Sequence, residues 1–359
     1  MYENENNFPR IITNKVKLDF ISKQFRECVG YELNIDNPQT FNEKIQWLKV
    51  FYKDPLMTRC TDKLAVRKYL RKKIGVEYLV DLAGDEVYGS ANDIDFGKLP
   101  NKFALKTTDG SGTNIICRDK MELNIQDAKN QLTNWLDKAH SHYYMSFEWA
   151  YRNIKPRIVC EKYIEAGGGG LKDYKVMCFN GEPRLVLVCS ERDTGNIKTD
   201  WFDLDWRHLP FTRLFPNSEK SVPKPENLAE MIKLATFLSK DFPFVRVDFY
   251  EVNGKLKVGE LTFYPGNGTE RFEPVEWDKK IGDMLRLPAK TIALPFEINQ
   301  RRINVRSILR NQLARMRHKR FVGIPRAAAR KMKAVVKTAI DWTKLSSRTE
   351  HEKRFTGFR

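Results

Sequence analysis

Two acidic residues in neighbouring β-type segments could hold a metal ion. Arg246 and Asp248 lie two residues apart in one segment, and Glu260 and Thr262 lie two apart in the next, across an Asn-Gly turn. Alternate residues of a strand share a face, so all four are expected on matching faces of a hairpin. Magnesium is commonly held by one or two carboxylates plus phosphate oxygens. The alternative is a surface set in which Arg246 neutralises Asp248 or Glu260.

A glycine-rich turn is the second candidate for chemistry. Gly110, Ser111 and Gly112 join two short β-type runs, and Lys106 lies just before them. Backbone N–H groups without an obstructing Cβ could fold over phosphate oxygens, and the lysine would add a positive charge. The turn matches neither the GxxxxGK[ST] nor the GxGxxG nucleotide motif. Taken alone, it favours an ordinary β-turn beside an exposed lysine.

The elements that must position these residues change character near residue 100. Before it the sequence is mostly helical: Thr40 and Glu43 form a capping-box pattern, and a second helix is expected from Thr61 to Gly75, followed by a short strand over 78–82. After it, Asn-Gly pairs at 180–181 and 253–254 predict two β-hairpins. Further predicted elements are helices over 127–139 and 227–240 and a strand over 157–164. The pattern predicts an α+β fold built largely on antiparallel sheets.

Composition excludes several classes of protein. The chain has 359 residues, 41% of them hydrophobic, which is typical of a folded enzyme-sized protein. There is no apolar run long enough to span a bilayer, and the N-terminus is polar where a secretory signal would be basic and apolar. The six cysteines have no CxxC spacing and are expected to be reduced core thiols of a cytosolic protein. The five histidines form no metal-binding pattern, so no structural zinc is expected.

The positive charge is concentrated at the C-terminus. Residues 300–359 contain 18 of the 63 Lys and Arg residues but only 3 of the 46 Asp and Glu residues. The first 299 residues are therefore nearly neutral, which argues against a nucleic-acid-coated protein. The tail predicts two basic amphipathic helices that could lie on an anionic membrane surface. Packing of their apolar stripes on the body, and nucleic-acid binding, are the alternatives.

The order of these motifs resembles the ATP-grasp superfamily and, within it, the TupA-like (teichuronopeptide biosynthesis) amidoligases. The resemblance covers about residues 40–290 and includes the opening Phe41–Leu48 and the stretch from Asp173 to Gly181. It implies an ATP-grasp fold with these divisions: a helical N-terminal region (1–100), a small subdomain (101–170), a large subdomain with the metal site (171–299) and the basic tail (300–359).

The resemblance also implies roles for individual residues. Lys63 and Lys106 would contact the phosphates of ATP beneath the glycine turn, and Asp173 would accept hydrogen bonds from the ribose. Arg246, with Lys106, would stabilise charge during the reaction. The implied ATP-binding set is Lys63, Lys106, Gly110, Ser111, Gly112, Glu161, Lys162, Tyr163, Ile164 and Asp173, and the implied Mg²⁺ set is Asp248, Glu260 and Thr262. Many ATP-grasp ligases have Asn where Thr262 stands, which leaves the number of metal ions open.

The implied reaction is activation of a carboxylate to an acyl phosphate, followed by attack of an amine. The implied substrates are a carboxylate-bearing glycan or lipid-linked precursor and an amine or amino acid, handled in the cytoplasm or at the inner face of the plasma membrane. Lys175, Arg184 and Arg192 are candidate contacts for an acidic substrate, with solvated strand charges as the alternative. A glycan kinase or glycosyltransferase, and a non-catalytic membrane- or nucleic-acid-binding scaffold, remain as alternative functions.

Overall fold

Two antiparallel sheets form the framework of the part of the chain that the structure describes. The computed structural model describes residues 14–290, apart from 140, 166–171 and 192–194. The basic tail, the Gly167–Gly170 run and Arg192 lie outside the described residues, so the predictions made for them are not addressed. Within the described chain, no helix is long and apolar enough to cross a membrane. The described elements confirm the predicted α+β class.

The larger sheet has five strands in the order β7-β6-β5-β8-β9. Both predicted Asn-Gly hairpins are present: Asn180 and Gly181 join β5 to β6, and Asn253 and Gly254 join β8 to β9. All four residues have positive φ angles, between 50° and 85°, as a two-residue hairpin turn of the primed type requires. The strands are β5 (Asp173–Phe179), β6 (Glu182–Ser190), β7 (Lys198–Phe202), β8 (Phe244–Val252) and β9 (Lys255–Thr262), and helix α7 (Leu228–Ser239) packs on them.

The smaller sheet has four strands in the order β1-β4-β2-β3. One face packs on helix α5 through a core that includes Phe103, Leu105, Leu132 and Cys160. The strand predicted over 78–82 is wrong in position, because Leu79 makes only an isolated parallel bridge with Val258 and β1 begins at Leu82. The elements are β1 (Leu82–Tyr88), β2 (Phe103–Thr107), β3 (Asn114–Cys117), α5 (Ile125–Asp137), α6 (Ser141–Ser146) and β4 (Ile158–Lys162). Strand β1 belongs to this sheet although it lies within the first 100 residues of the chain. The predicted subdomain divisions stay predictions.

From residue 14 onward, four helices precede the smaller sheet: α1 (Asn14–Val29), α2 (Phe41–Phe51), α3 (Pro55–Thr61) and α4 (Val66–Ile74). The capping box at Thr40 and Glu43 is confirmed. The helix predicted to start at Thr61 instead starts at Val66. Asp62 explains the break, since its carboxylate accepts hydrogen bonds from the backbone N–H groups of Leu64 and Ala65 at 2.8 and 3.0 Å.

Helix α2 holds the loop that follows β9. The Gln46 amide donates to the carbonyl oxygens of Asn267 and Gly268 at 2.8 and 2.7 Å, and Lys49 donates to the side chain of Asn267 at 2.6 Å. Asn42 donates to Asp278 at 2.7 Å, at helix α8 (Glu276–Gly282). These polar side chains are buried, so a strand end and a helix more than 200 residues away are fixed to α2.

All six cysteines are free and buried. Burial raises the pKa of three of them, Cys60 in α3, Cys160 in β4 and Cys178 in β5, to about 12. The predicted scattered core thiols are therefore what the described structure contains.

Candidate functional site

The carboxylate pair lies on one hairpin, as the alternation predicted. Asp248 on β8 is directly opposite Glu260 on β9, and Arg246 is directly opposite Thr262. The ladder shifts register immediately after Asp248, where a bulge follows. The four side chains therefore share one face of the large sheet at its edge hairpin.

Asp248 is held by two cations. Arg246 donates to both of its carboxylate oxygens, at 2.6 and 2.7 Å, in a two-pronged contact. Lys175 is paired with Asp248 across β5 and β8 and donates to it at 2.6 Å, and it also donates to Asp173 at 2.5 Å. Asp248 is 2% exposed, so the contacts compensate for burial of its charge.

Glu260 is the exposed member of the pair. Arg246 donates to Glu260 at 3.2 Å and to the Thr262 hydroxyl at 3.0 Å, and that hydroxyl donates to Glu260 at 3.1 Å. The Glu260 side chain is 46% exposed. Loss of hydration next to the surrounding protein raises the pKa of Glu260, but the positive charges of Arg246, Lys175 and Lys63 outweigh this effect and lower the pKa to about 2.

The pKa of Asp248 is shifted in the opposite direction from that of Glu260. Burial, together with the negative charges of Glu260 and Asp173, raises the pKa of Asp248 to about 6 against the lowering effect of Arg246 and Lys175. Glu260 is therefore the ionised and accessible carboxylate, and Asp248 is the buried one. An incoming cation would meet Glu260 first.

The glycine turn adopts a conformation that needs glycine. Gly110 and Gly112 have φ angles of +97° and +75°, and a Cβ on Gly112 would meet no atom within 4 Å. Ser111 is exposed at the tip. Hydrogen bonds between Thr107 and Thr113 close the base of the turn, with the hydroxyl oxygens 2.6 Å apart. The tip is open to solvent while its base is fixed.

Lys106 contacts Glu161 on the neighbouring strand, Nζ to Oε2 at 2.5 Å. The β2–β4 register places both on the same face of the small sheet. Lys162, next along β4, lies on the opposite face and contacts Asp81 at 3.5 Å, so its side chain is apart from the others. Tyr163 and Ile164 follow the strand end and are partly buried.

Lys63 contacts the glycine turn and is affected by charges from both sheets. Its ammonium group donates to the Gly110 carbonyl oxygen at 2.7 Å, which fixes it beneath the turn. Burial and the neighbouring charge of Lys106 lower its pKa, and Glu260, Asp109 and Glu161 act in the opposite direction. Glu260 belongs to the large sheet and Glu161 to the small one. The turn, the Lys106–Glu161 pair and the carboxylate pair therefore lie around Lys63, and the region that they share is called the cleft below.

Two residues of this cleft, Tyr151 and Lys175, were not assigned to nucleotide or metal binding from the sequence. Tyr151 feels the charges of Glu260, Arg246 and Asp109, and burial raises its pKa well above the usual value. It is the last residue of a short 3₁₀ helix, Trp149–Tyr151, which carries no sequence motif. Lys175, expected to contact an acidic substrate, instead holds Asp173 and Asp248, and Arg184 pairs with Glu182 on exposed surface. Asp173 and Lys175 are two residues apart on one strand and therefore share a face, and this spacing could have predicted their ion pair.

The donor set fits a nucleotide-bound magnesium ion better than a protein-enclosed metal. Among residues 14–290 with the gaps given above, no three His, Cys, Asp or Glu side chains are grouped to hold a metal. Asp248, Glu260 and the Thr262 hydroxyl supply oxygen donors, which suit Mg²⁺ when phosphate oxygens complete the shell.

Several solved ligases are similar to this chain at low sequence identity and with low TM-scores. D-alanine–D-alanine ligase from Bacillus anthracis is 19% identical, with 63% of this chain and 65% of that chain covered and a TM-score of 0.34. L-amino acid ligase from Bacillus licheniformis is 15% identical, with 60% of this chain and 44% of that chain covered and a TM-score of 0.35. D-alanine–D-alanine ligase from Helicobacter pylori is 14% identical, with 68% of this chain and 69% of that chain covered and a TM-score of 0.37. This chain thus spans less than two thirds of the first two ligases. No curated protein matches the sequence.

A family model gives the decisive similarity. It describes the TupA-like ATP-grasp proteins and matches residues 43–286, about two thirds of the chain. The match includes the Lys63 contact, the glycine turn, the Lys106–Glu161 pair and the carboxylate hairpin. The chain belongs to the TupA-like ATP-grasp family.

Proposed function

We propose that this protein is a Mg²⁺- and ATP-dependent ligase that joins an amine or amino acid to a carboxylate. A carboxylate oxygen attacks the γ-phosphorus of ATP, the bond to the β-phosphate oxygen breaks, and ADP leaves. The amine nitrogen then attacks the acyl carbon, the bond to the phosphate oxygen breaks, and the amine loses a proton. The products are an amide, ADP and inorganic phosphate.

The position of Lys63 carries this proposal. One ammonium group touches the glycine turn and feels both Glu161 of the small sheet and Glu260 of the large sheet. A ligand that placed phosphates in this cleft would meet Lys63 and Lys106, with the open backbone of Gly110–Gly112 above them. The Glu161–Ile164 segment would contact adenine, and Asp173 would accept from ribose hydroxyls after release from Lys175.

The carboxylate hairpin would hold the metal ion. Asp248 and Glu260, with the Thr262 hydroxyl, would bind Mg²⁺, which when bound neutralises charge on phosphate oxygens. Arg246 contacts both carboxylates, and its guanidinium would stabilise negative charge that develops at the reacting carbonyl or phosphoryl group. The contact of Arg246 with Thr262 and Glu260 fixes the orientation of that guanidinium.

The proposed acceptor is a carboxylate-bearing glycan or its lipid-linked precursor, so the role is in the synthesis of a cell-surface polysaccharide. Family membership supports this choice, and the basic residues 300–359 would hold the enzyme at an anionic membrane on the cytoplasmic side. Within the proposed mechanism no enzyme nucleophile is needed, because the phosphate of ATP activates the carboxylate.

The metal assignment is tested with Glu260→Gln, because this side chain is 46% exposed and its replacement leaves the buried Asp248 contacts in place. We expect ATP turnover to fall at least about 100-fold. The double variant Asp248→Asn/Glu260→Gln should abolish it. The matched control Asp205→Asn/Glu226→Gln changes two exposed carboxylates outside the cleft and should turn over ATP normally.

Product analysis tests the reaction class. Purified protein is supplied with Mg-ATP, oligogalacturonate and single amino acids, and products are measured by mass spectrometry and phosphate release. A new amide with stoichiometric ADP and phosphate supports the ligase. ADP with a phosphorylated sugar would identify a kinase, and full turnover by Glu260→Gln would refute the metal site.

A further inference from the structure

Helix α4 presents an unusually basic outer face. Val66, Tyr69 and Leu70 are buried against the body. The remaining positions include five basic residues and no acidic one, namely Arg67, Lys68, Arg71, Lys72 and Lys73. Like charges at spacings of three and four residues repel one another on a helix, so this face is unfavourable unless something compensates it.

A groove runs between this face and the edge of the small sheet, with a volume of about 860 Å³. That is within the range of about 300–1,000 Å³ found for ligand-binding clefts. One wall is α4, and the other is formed by the start of β1 and the end of β4. The lining residues are Leu64, Arg67, Lys68, Arg71, Lys72, Asp81, Leu82 and Lys162.

The charges of the groove are poorly balanced. Asp81 is the sole acidic residue among the lining side chains and is taken by Lys162 at 3.5 Å. Arg67 donates to the Val80 carbonyl oxygen at 2.8 Å. In the part of the chain that the structure describes, Lys68, Arg71 and Lys72 have no acidic side chain within ion-pair distance. By contrast, Lys73 faces away from the groove and contacts Asp241 at 2.7 Å.

The groove is separate from the nucleotide cleft but adjoins it. Glu161 faces Lys106 in the cleft, and the next residue, Lys162, faces the groove from the opposite side of β4. A chain lying along α4 would therefore pass the segment proposed to contact adenine. This position suits a site that holds a long substrate away from the reacting group.

We propose that this groove binds an anionic glycan chain, and that it holds the acceptor polymer of the proposed ligase. Clustered ammonium and guanidinium groups attract repeated carboxylates, and a concave wall suits an extended chain rather than a flat bilayer. A groove for single-stranded nucleic acid would carry aromatic side chains for base stacking, and none lines this one. A membrane-facing helix would present large apolar side chains, whereas the outer positions of α4 are charged.

The test measures binding of fluorescent oligogalacturonate to the full chain at low ionic strength. The variant Lys68→Gln/Arg71→Gln/Lys72→Gln removes three uncompensated charges without loss of helix propensity, since Gln resembles Lys and Arg in this respect. We expect affinity to fall roughly tenfold or more, because three ion pairs with the carboxylates of the polymer are lost. Added salt should weaken wild-type binding.

The matched control is Lys220→Gln/Lys224→Gln/Lys233→Gln, which removes the same charge from exposed lysines that do not line the groove. It should bind within twofold of wild type. A neutral maltooligosaccharide of equal length should not bind. Equal losses in both triple variants would refute a groove-specific site, as would equal or tighter binding of a single-stranded oligonucleotide or of phosphatidylglycerol vesicles through α4.

The same variants separate this inference from the proposed reaction. The α4 triple variant should hydrolyse ATP with a small carboxylate substrate at the wild-type rate, since none of its three positions lies in the nucleotide cleft. A loss of polymer turnover through higher KM, with kcat unchanged, supports the groove. Wild-type protein that turns over ATP but does not bind oligogalacturonate would refute the groove and leave the ligase proposal intact.

Discussion

Helices α2 and α4 belong to the same N-terminal region, and both are rich in polar and charged residues, but they use them differently. On α2, Asn42, Gln46 and Lys49 are buried and hydrogen-bonded to the loop and helix that follow β9. On α4, Lys68, Arg71 and Lys72 are exposed and uncompensated within the described chain. Charge on a helix therefore does not by itself indicate a surface role.

The difference shows how polar side chains that stabilise the fold can be told apart from those that are available to bind a ligand. A buried polar side chain that satisfies distant carbonyl oxygens stabilises the fold, because its removal would leave those oxygens without partners. An exposed cation without a partner contributes little to stability and is available for a ligand. Three variants test this contrast.

The largest effect is expected from Gln46→Leu. The change removes donors to the carbonyl oxygens of Asn267 and Gly268 and an acceptor from Lys49, leaving buried groups unsatisfied. The free energy of unfolding should fall by about 3 kcal/mol in urea titrations. Gln126→Leu, the same change at an exposed position of α5, should stay within about 0.5 kcal/mol of wild type. Similar losses at both positions would remove the special role of α2.

A smaller effect is expected from Gly268→Ala, which probes the same contact from the loop side. Gly268 has a φ of +59°, and a Cβ would lie 2.8 Å from both Gln46 Nε2 and Ile45 Cγ2. Thermal unfolding should show a loss of about 2–3 kcal/mol. Gly254→Ala is the control, since it has a φ of +71° but open space around the Cβ, and should cost about 1 kcal/mol. If both cost the same, the loop is not packed tightly on α2.

The smallest effect is expected from neutralising α4. Lys68→Gln/Arg71→Gln/Lys72→Gln should leave the free energy of unfolding within about 0.5 kcal/mol of wild type or slightly higher, because repulsion between neighbouring cations is relieved. Urea denaturation with unchanged slope would measure it. A loss above about 1 kcal/mol would show that these cations stabilise the fold, and the contrast with α2 would fail.

The sequence predicted those features that depend on local chemistry. Asn-Gly pairs specify hairpin turns through their backbone angles, and strand alternation predicted that Asp248 and Glu260 lie on matching faces of one hairpin. The family resemblance supplied the order of the remaining motifs. The residue roles in ATP and Mg²⁺ binding stay predictions until the turnover experiments are done.

The contacts that assemble the cleft could not be predicted in this way. Lys63 reaches a carbonyl 47 residues away, and Gln46 reaches one more than 220 residues away. Neither contact leaves a periodic pattern, because a side chain that hydrogen-bonds to a backbone carbonyl places no demand on the residue type that it meets. The placement of Lys175 between Asp173 and Asp248 likewise requires the pairing of β5 with β8.

The N-terminal helices, the small sheet and the large sheet each contain a buried thiol whose reactivity depends on local opening. Cys60 lies among the N-terminal helices, Cys160 in the small sheet and Cys178 in the large sheet, and all three are held in the protonated form by burial. A thiol of this kind reacts with alkylating reagents only after its surroundings open. The labelling rate at each position therefore measures how often that part of the structure opens. Different rates at the three positions would indicate independent local opening of the two sheets, and equal rates would indicate concerted unfolding.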